Sequence, residues 1–273
     1  MLSAPNNGGD DIFARFPFVA MEEAARLAGE GLKNSFSSVG RLKVYEKSRF
    51  DVYSDADVQA EDDVFSVLSR SAPSYGFLME ERGKIVGGDP NVRWTVDPLD
   101  GTKNFLHGIP LYAVSLALEK YADGLWRSVA GLTYMPAQGT LYYAEEKFGA
   151  YAIDNNAMPR RLAMRGPLHS THRLASLGHT PAPHIAQTLR RQGFSFREMG
   201  AATLSFALLA EDKLDAVSLP NAKRWDIAAG VALVREAGGV VTCLKGNMNF
   251  DDGASVAAGN KETHAALLAA AVS

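Results

Sequence analysis

The fold and the chemistry of this chain are decided around one stretch, Arg93-Trp-Thr-Val-Asp-Pro-Leu-Asp-Gly-Thr-Lys-Asn-Phe-Leu-His-Gly-Ile-Pro110. Its apolar start predicts a short strand that leads into Asp97. The backbone is then expected to turn, because Pro98 lacks an amide donor and Gly101 tolerates angles that other residues resist. Asp97 and Asp100 should therefore meet on one tight loop, and Thr102 or a neighbour should open a short helix.

This loop has the composition of an anion site. The amides near Gly101 and Thr102 can point at an anion, and the dipole of the following helix adds to the attraction. Carboxylate oxygens beside such a helix end suit magnesium that is bound together with a phosphate. Asp-Pro-x-Asp-Gly is also good turn chemistry, however, and an isolated copy would more often be only a turn.

Acidic residues elsewhere in the chain favour the functional interpretation. Glu80 and Glu81 end a predicted strand, and side chains at a strand end emerge at the mouth of a sheet. Asp226 starts a predicted helix and Asp57 lies near the start of another. Each of these two aspartates could also do no more than cap its helix.

Composition excludes several classes of protein. The chain has 273 residues, with 28 Lys and Arg against 31 Asp and Glu, which gives a formal net charge of -3. About three quarters of the unfolded surface can be buried at this length, so a disordered tail protein is excluded. The balanced charge gives no electrostatic footprint for nucleic acid, and no nucleic-acid partner is expected. Acidic or phosphorylated small molecules stay open as ligands.

The expected setting of the protein is the cytoplasm. Cys243 is the single cysteine, so it cannot form an internal disulfide, and its apolar surroundings predict an inert core thiol. The first residues lack a basic region followed by an apolar one, and no segment approaches the roughly 18 apolar residues of a membrane span. No membrane partner is expected, and residues 1–12 are predicted to be a flexible N-terminus.

Hydrophobic periodicity predicts a mixed α/β (α+β) protein with two lobes. The N-terminal lobe, residues 13–152, should be α+β and carry the metal and phosphate loop. The C-terminal lobe, residues 153–273, should alternate strands and helices. The boundary is placed at Asp154-Asn-Asn-Ala-Met-Pro-Arg-Arg, although this polar stretch could equally be one hairpin turn within a single domain. Helices are predicted at 17–36, 57–69, 183–192, 203–211, 227–237 and 261–271. Strands are predicted at 75–79, 93–96, 112–118, 128–134, 140–144, 174–177, 215–219 and 239–242.

Four ordered motifs make the chain resemble the inositol monophosphatase family of magnesium-dependent, lithium-sensitive sugar phosphatases. The first is Trp94-Thr-Val-Asp-Pro-Leu-Asp-Gly-Thr-Lys-Asn-Phe, and the second is Trp225-Asp-Ile-Ala-Ala-Gly followed by Glu236-Ala-Gly-Gly. Asp51-Val-Tyr-Ser-Asp-Ala-Asp57 is similar to an early family motif, and Phe77-Leu-Met-Glu-Glu81 to the Gly-Glu-Glu segment. The resemblance covers most of the chain and implies layers of helices and sheets, an α-β-α-β-α sandwich like that of fructose-1,6-bisphosphatase. It also implies a homodimer.

The resemblance also implies a set of site residues and two or three Mg²⁺ ions. One metal would be bound by Glu80, Asp97 and the carbonyl of Leu99, and a second by Asp97, Asp100 and Asp226. Phosphate would bind at Gly101, Thr102, Ala202 and Asp226. Thr102, oriented by Asp57, would position the attacking water on the first metal, and Glu80 would take part in catalysis through that metal.

The chemistry of phosphate monoesters is consistent with this set. Magnesium ions neutralise the repulsion between the phosphate and an incoming hydroxide and lower the pKa of bound water, so no covalent phosphoenzyme is required. The haloacid dehalogenase family is a different phosphatase class that also uses an Asp-rich loop. Its nucleophile motif is Asp-x-Asp, whereas this loop has Asp97-Pro-Leu-Asp100, and the spacing argues against that class.

Departures from the family pattern concern the substrate. Leu219 stands where inositol phosphatases usually carry a Glu that contacts sugar hydroxyls, and Ala201 and Ala202 replace a turn that usually carries a hydroxyl. Inositol monophosphate is the default substrate. Histidinol phosphate, a nucleotide-type bisphosphate and fructose 1,6-bisphosphate compete with it. Lys223 and Arg224 could face a second negative group of the substrate, or could simply be solvated.

A non-enzymatic alternative is also implied by the resemblance. Some bacterial members of the family act as partners of the transcription machinery, so the chain could be a binding module with a vestigial site. Every proposed metal ligand is present, which favours a small phosphorylated metabolite as the partner and phosphate release as the activity.

Overall fold

The computed structural model describes residues 12–49, 51–166, 172–178, 183–250 and 253–272. The predicted flexible N-terminus lies outside these residues except for Ile12, which is buried. The helices are α1 (Phe16–Phe36), α2 (Asp55–Ser71), α3 (Thr102–Leu106), α4 (Pro183–Arg191), α5 (Ala202–Ala210), α6 (Arg224–Glu236) and α7 (Lys261–Val272). Short 3₁₀ turns cover Ile12–Ala14 and Val39–Arg41.

The strands form a two-stranded ribbon, an eight-stranded sheet and a five-stranded sheet. The ribbon is β1 (Val44–Ser48) and β2 (Asp51–Ser54). The strands of the large sheet are β3 (Tyr75–Met79), β4 (Gly83–Ile85), β5 (Asp89–Asp100), β6 (Ala113–Ala122), β7 (Leu125–Met135), β8 (Thr140–Glu145), β9 (Gly149–Asp154) and β10 (Arg160–Leu162). The strands of the smaller sheet are β11 (Arg173–Leu177), β12 (Phe194–Arg197), β13 (Ala216–Ala222), β14 (Val240–Cys243) and β15 (Ala254–Gly259).

Sheet order brings the site residues to one edge of the large sheet. Its order is β10-β9-β8-β7-β6-β5-β3-β4, and β3 runs parallel to β5. Both strands therefore end on the same side, which places Glu80, directly after β3, beside Asp97 in β5. In the smaller sheet, of order β12-β11-β13-β15-β14, β11 pairs in parallel with β12 and β13.

The layers follow from which faces are apolar. Helices α1 and α2 cover one face of the large sheet, and α1 buries Met21, Ala24, Ala28 and Leu32 against it. Helices α5 and α6 fill the space between the two sheets. Helices α4 and α7 cover the outer face of the smaller sheet. The sequence-based prediction of a mixed α/β protein in an α-β-α-β-α sandwich is confirmed.

The segment that was expected to separate the lobes is a turn inside the large sheet. Asn155 and Asn156 adopt positive φ angles of 46° and 63°, and β10 returns to pair with β9. The large sheet therefore continues past the predicted boundary at residue 152, and α6 packs against strands of both sheets. The division into two lobes stays a prediction. No helix in the described ranges is long and apolar enough to cross a membrane.

Candidate active site

Strand β5 carries Asp97 and Asp100 into the site through a bulge. Asp97 pairs with Ser115 of β6 and Asp100 pairs with Ala113, so three steps along β5 match two along β6. The turn expected at Pro98 is therefore wrong, and the chain stays extended as far as Asp100. A bulge leaves backbone groups unpaired, so the missing amide of Pro98 costs the sheet little there.

The chain turns at Gly101 instead, and only glycine fits this position. Its φ of 90° lies in the left-handed region, and a Cβ atom there would stand 2.8 Å from the carbonyl oxygen of Leu111. Helix α3 begins at the next residue, Thr102, as the sequence predicts. The amide of Leu99 donates to Asp97 Oδ1 at 3.1 Å, which fixes the carboxylate inside the bulge.

Asp57 and Thr102 meet although they are far apart in the chain. The Thr102 hydroxyl lies 2.9 Å from Asp57 Oδ1 and 3.0 Å from the carbonyl oxygen of Leu99. The other oxygen of Asp57 accepts from the amide and the hydroxyl of Ser54, both at 2.7 Å. Asp57 therefore caps α2, as its simpler interpretation predicts, and also holds Thr102. Burial raises its pKa, and these hydrogen bonds oppose that shift.

Asp100 is held by the first turn of α5. Its Oδ2 accepts from the amide of Thr203 at 2.7 Å and from the Thr203 hydroxyl at 2.6 Å, while Oδ1 accepts from the amide of Ala202 at 3.0 Å. These bonds connect the large sheet to a helix of the central layer. Ala202 is expected from the family resemblance to contact the substrate or its phosphate, and its amide already donates to the carboxylate of Asp100.

Glu80 leaves β3 beside a lysine that the sequence did not single out. Lys47 Nζ of the ribbon lies 3.0 Å from Glu80 Oε1 and 2.5 Å from Glu81 Oε1. The charge of Glu80 also acts on Asp97, whose pKa it helps to raise. Despite Lys47, burial raises the pKa of Glu80.

Asp226 enters the site from the first turn of α6. Its Oδ2 accepts from the amide of Lys223 at 2.8 Å, so it caps this helix as well. Burial and the neighbouring carboxylates of Asp100 and Glu80 raise the pKa of Asp226 to about 7. Burial and the charges of Glu80, Asp100 and Asp226 raise the pKa of Asp97 well above its usual value.

The acids therefore form a cluster whose negative charge the protein itself does not balance. Lys47 stands beside Glu80 on the rim, and burial also raises the pKa of Asp100, although amides of α5 bind it. In the described part of the chain, no three His, Cys, Asp or Glu side chains stand in positions that could hold a metal ion. All the donors are hard oxygens that repel one another, which is the donor set that Mg²⁺ prefers. The chemistry of the donors therefore fits Mg²⁺, although the side chains as placed do not form such a group, and Lys47 balances only part of their charge.

A cleft of about 380 Å³ opens over this cluster. It is lined by Glu80, Asp100, Gly101, Thr102 and Asp226 on one side. The other wall carries Leu177, Met199, Ala201, Ala202, Leu219, Pro220, Asn221 and Glu198. Asp57, Asp97 and Leu99 are buried beneath the cleft.

Arg224 does not line the cleft. The sequence had left open whether this side chain faces a negative group of the substrate or is solvated. It is buried at 6% exposure and its Nε donates to Glu119 Oε1 at 2.7 Å. Glu119 is fully buried and also accepts from Arg93 and Thr95. The adjacent positive charges lower the pKa of Glu119 in spite of its burial. Arg224 is thus a structural cation rather than a substrate ligand.

Sequence reasoning missed three contributors to the site. Lys47 lies on a strand whose residues are all exposed, and no pattern marks it. Thr203 is one of many threonines near helix starts. Ser54 carried a readable signal, because Ser54-x-x-Asp57 matches a capping box.

Comparison with known proteins agrees with this geometry. The model of the inositol monophosphatase family matches residues 16–273. A protein named inositol-1-monophosphatase from Mesorhizobium japonicum is 41% identical over 92% of this chain and 94% of its own length. A protein named Nus factor SuhB from Xylella fastidiosa is 36% identical over 83% of this chain and 81% of its own.

Solved structures agree as well. The crystal structure of the extragenic suppressor protein suhB from Bartonella henselae superposes with a TM-score of 0.86 at 36% identity, over 94% of this chain and 98% of that one. The family match spans both sheets and every predicted site residue. The chain belongs to the inositol monophosphatase family and is a phosphatase, a phosphoric monoester hydrolase.

Proposed function

We propose that the chain is a Mg²⁺-dependent phosphomonoesterase that hydrolyses a small phosphorylated metabolite, by default inositol monophosphate to inositol and phosphate. The observation that carries this proposal is the convergence of Glu80, Asp97, Asp100 and Asp226 beneath one cleft with raised pKa values. Buried carboxylates without a balancing charge are costly, and bound divalent cations remove that cost.

The proposed ligands of two or three magnesium ions are all oxygen donors. They are Glu80, Asp97, the carbonyl of Leu99, Asp100 and Asp226. Magnesium supplies charge neutralisation of the phosphate and acidification of water. Oε1 of Glu80 accepts from the ammonium of Lys47 at 3.0 Å, so this ion pair would compete with a metal for that oxygen.

The protein residues position the reactants. The Thr102 hydroxyl has two acceptors, Asp57 Oδ1 at 2.9 Å and the carbonyl oxygen of Leu99 at 3.0 Å, so its single proton is directed towards them and its lone pairs are left to accept a hydrogen bond from the attacking water. Asp57 is itself held by two bonds from Ser54, which fixes the direction of the Thr102 hydroxyl. The amides of Gly101 and Thr102 are proposed to bind phosphate oxygens. Water attacks phosphorus directly while the bond between phosphorus and the ester oxygen breaks; the hydroxyl of the water stays on the phosphate and its other proton ends on the leaving alcohol.

The wall opposite the acids bears on the choice of substrate. Leu219 and Pro220 line the cleft with Ala201 and Met199, and these side chains offer no hydrogen bonds to sugar hydroxyls. Inositol monophosphate stays the default because of the similarity to the Mesorhizobium protein. Histidinol phosphate and the nucleotide or fructose bisphosphates use the same phosphate chemistry, and the polar side chains that also line the cleft, Ser176, Glu198 and Asn221, keep hydroxylated alcohols among the candidates.

A second role is proposed on the similarity to the Nus factor from Xylella. The chain could bind the transcription machinery in addition to hydrolysing phosphate esters. Association as a homodimer and location in the cytoplasm stay predictions.

A screen for released phosphate tests the enzymatic proposal. Inositol 1-phosphate, histidinol phosphate, 3′-phosphoadenosine 5′-phosphate and fructose 1,6-bisphosphate are assayed with Mg²⁺, with EDTA and with added lithium. We expect release that needs Mg²⁺, is inhibited by lithium and is lost in Asp97→Asn and Asp226→Asn. The exposed hairpin variant Asp123→Asn is the matched control and should retain activity. Equal release by the two site variants and the control would overturn the site assignment, and a trapped phospho-aspartate would overturn direct attack by water.

A further inference from the structure

A second cavity, of about 490 Å³, lies beside α6 and shares no lining residue with the active-site cleft. It runs between α6, the hairpin that joins β6 to β7, and the segment 248–250. Its walls are largely apolar and include Leu125, Trp126, Val129, Ala232, Met248 and Phe250. This volume and this lining are typical of a site for a small organic molecule.

The polar group of interest in this cavity is Arg235, in the last turn of α6. It is partly buried, and no carboxylate of the described residues lies within ion-pair distance of its guanidinium. Its contacts are weak: Nη2 lies 3.5 Å from the sulfur of Met248, and its Cζ lies 5.9 Å from the ring centre of Phe250. A guanidinium in such a place normally has an anionic partner.

The charged residues near Arg235 already interact with other groups, so they do not neutralise its guanidinium. Arg224 is neutralised by Glu119, and Arg127 pairs with Asp123 at 2.8 Å on the surface. Glu236 also lines the cavity, but its oxygens accept from the amides of Lys147 and Gly149.

Two exposed charges lie on the rim, Lys120 and Glu146, and they are of opposite sign. Burial and the repulsion from Arg224 and Arg127 lower the pKa of Arg235 to about 10, so it stays protonated at neutral pH. The lining as a whole carries four basic side chains, on Lys120, Arg127, Arg224 and Arg235, against two acidic ones, on Glu146 and Glu236, so its charge is net positive.

We propose that this cavity binds a small organic anion, one charged group of which pairs with Arg235 while its ring or chain packs between Trp126 and Phe250. The charged group is a carboxylate, phosphate or sulfonate, because these oxygens match the planar donors of a guanidinium. Inorganic phosphate fits less well, because it would leave the apolar walls uncovered. The enclosed shape favours a metabolite over an extended macromolecule.

The probe for this site is 8-anilinonaphthalene-1-sulfonate, an aromatic sulfonate that fluoresces in apolar surroundings. N-phenyl-1-naphthylamine has the same rings without the sulfonate and serves as the neutral probe. The variant Arg235→Met keeps a long apolar side chain and removes the charge. The control is Arg190→Met, since Arg190 also lies in the last turn of a helix with its Cζ 5.1 Å from a ring centre, that of Phe196, but outside the cavity.

Binding of the sulfonate to the full-length protein should saturate at one site per chain. Arg235→Met should weaken it about tenfold, the loss of one charge-assisted interaction, and should leave the neutral probe and the phosphatase activity unchanged. Arg190→Met should change neither. Near-ultraviolet circular dichroism checks that every variant is folded.

Three results would overturn the proposal. One is binding without saturation, a second is equal loss of both probes in Arg235→Met, and a third is an unchanged affinity for the sulfonate in that variant. A variant that loses its near-ultraviolet spectrum is replaced by Arg235→Lys, which keeps the charge and should retain tighter binding of the sulfonate than of the neutral probe.

Discussion

Replacing Asp226 by Asn should make the metal-free protein more stable above pH 7, although it removes a residue of the proposed metal site. The pKa of Asp226 is raised from 3.8 to about 7, chiefly by burial and by the charge of Asp100. Ionising this carboxylate therefore costs more in the folded protein than in the unfolded chain. Asparagine is nearly isosteric, carries no charge, and can still accept the bond that the amide of Lys223 donates at 2.8 Å.

The size of the effect follows from linkage. A shift of about three pKa units corresponds to at most about 4 kcal/mol, since each unit is about 1.4 kcal/mol. Because the folded state binds the extra proton, the free energy of unfolding of the wild type falls as the pH rises from about 4 to about 7, and the full cost is present above that. At about 2–4 °C per kcal/mol, the midpoint of thermal unfolding of Asp226→Asn should exceed that of the wild type by up to about 16 °C at pH 8. Near pH 4 the two midpoints should coincide.

Thermal unfolding by circular dichroism in EDTA, from pH 4.5 to 8.5, measures this difference directly. Comparing the two proteins at each pH cancels the titration of all other groups. The exposed variant Asp123→Asn should follow the wild type at every pH. Addition of Mg²⁺ at pH 8 should stabilise the wild type much more than Asp226→Asn. A variant that is equally stable or less stable than the wild type at pH 8 in EDTA would refute the reasoning that burial raises this pKa.

Three further substitutions test the parts of the site separately. Thr102→Val should lower the rate of phosphate release about 100-fold, because the hydroxyl that positions water is lost, and should cost about 1–3 kcal/mol of stability, because the buried Asp57 loses a donor; a twofold change in rate would contradict the catalytic role. Gly101→Ala should cost about 2–3 kcal/mol in urea unfolding, because its φ is 90° and its Cβ would meet the Leu111 carbonyl at 2.8 Å. Arg224→Met should cost about 3 kcal/mol by leaving Glu119 buried with less compensation, and adding Glu119→Gln should recover part of the loss; additive losses would argue against the pair.

The elements that were predicted from the sequence have strong periodicity. The first helix was expected at 17–36 and runs from Phe16 to Phe36, because its apolar residues recur on one face and Pro17 suits its first turn. The missed strands lack such a pattern. All residues of β1 are exposed, and β15 is built of small residues that do not alternate. Pairing with distant strands, rather than local preference, makes these segments extended.

Local motifs likewise predicted the acids of the site but not their partners. Asp97 and Asp100 belong to one recognisable stretch, so their proximity could be read directly. The bonds of Asp100 to Thr203 and of Glu80 to Lys47 join residues 103 and 33 positions apart. In both pairs, the sequence around one residue does not indicate which residue it will contact. Only the sheet order and the packing of α5 bring these groups together.

The buried ion pair of Arg224 offers a reason why mutually repelling acids stay together without metal. Glu119 Oε1 accepts from Arg224, two residues before Asp226 in α6, and its Oε2 accepts at 2.6 Å from Thr95, two residues before Asp97 in β5. One carboxylate therefore ties together the two elements that carry the proposed metal ligands. Repulsion between Asp97 and Asp226 acts to separate β5 from α6, and the Glu119 contacts resist that motion. The site can thus keep its geometry although repulsion between its acids destabilises it. Metal binding then costs no additional free energy for bringing β5 and α6 together.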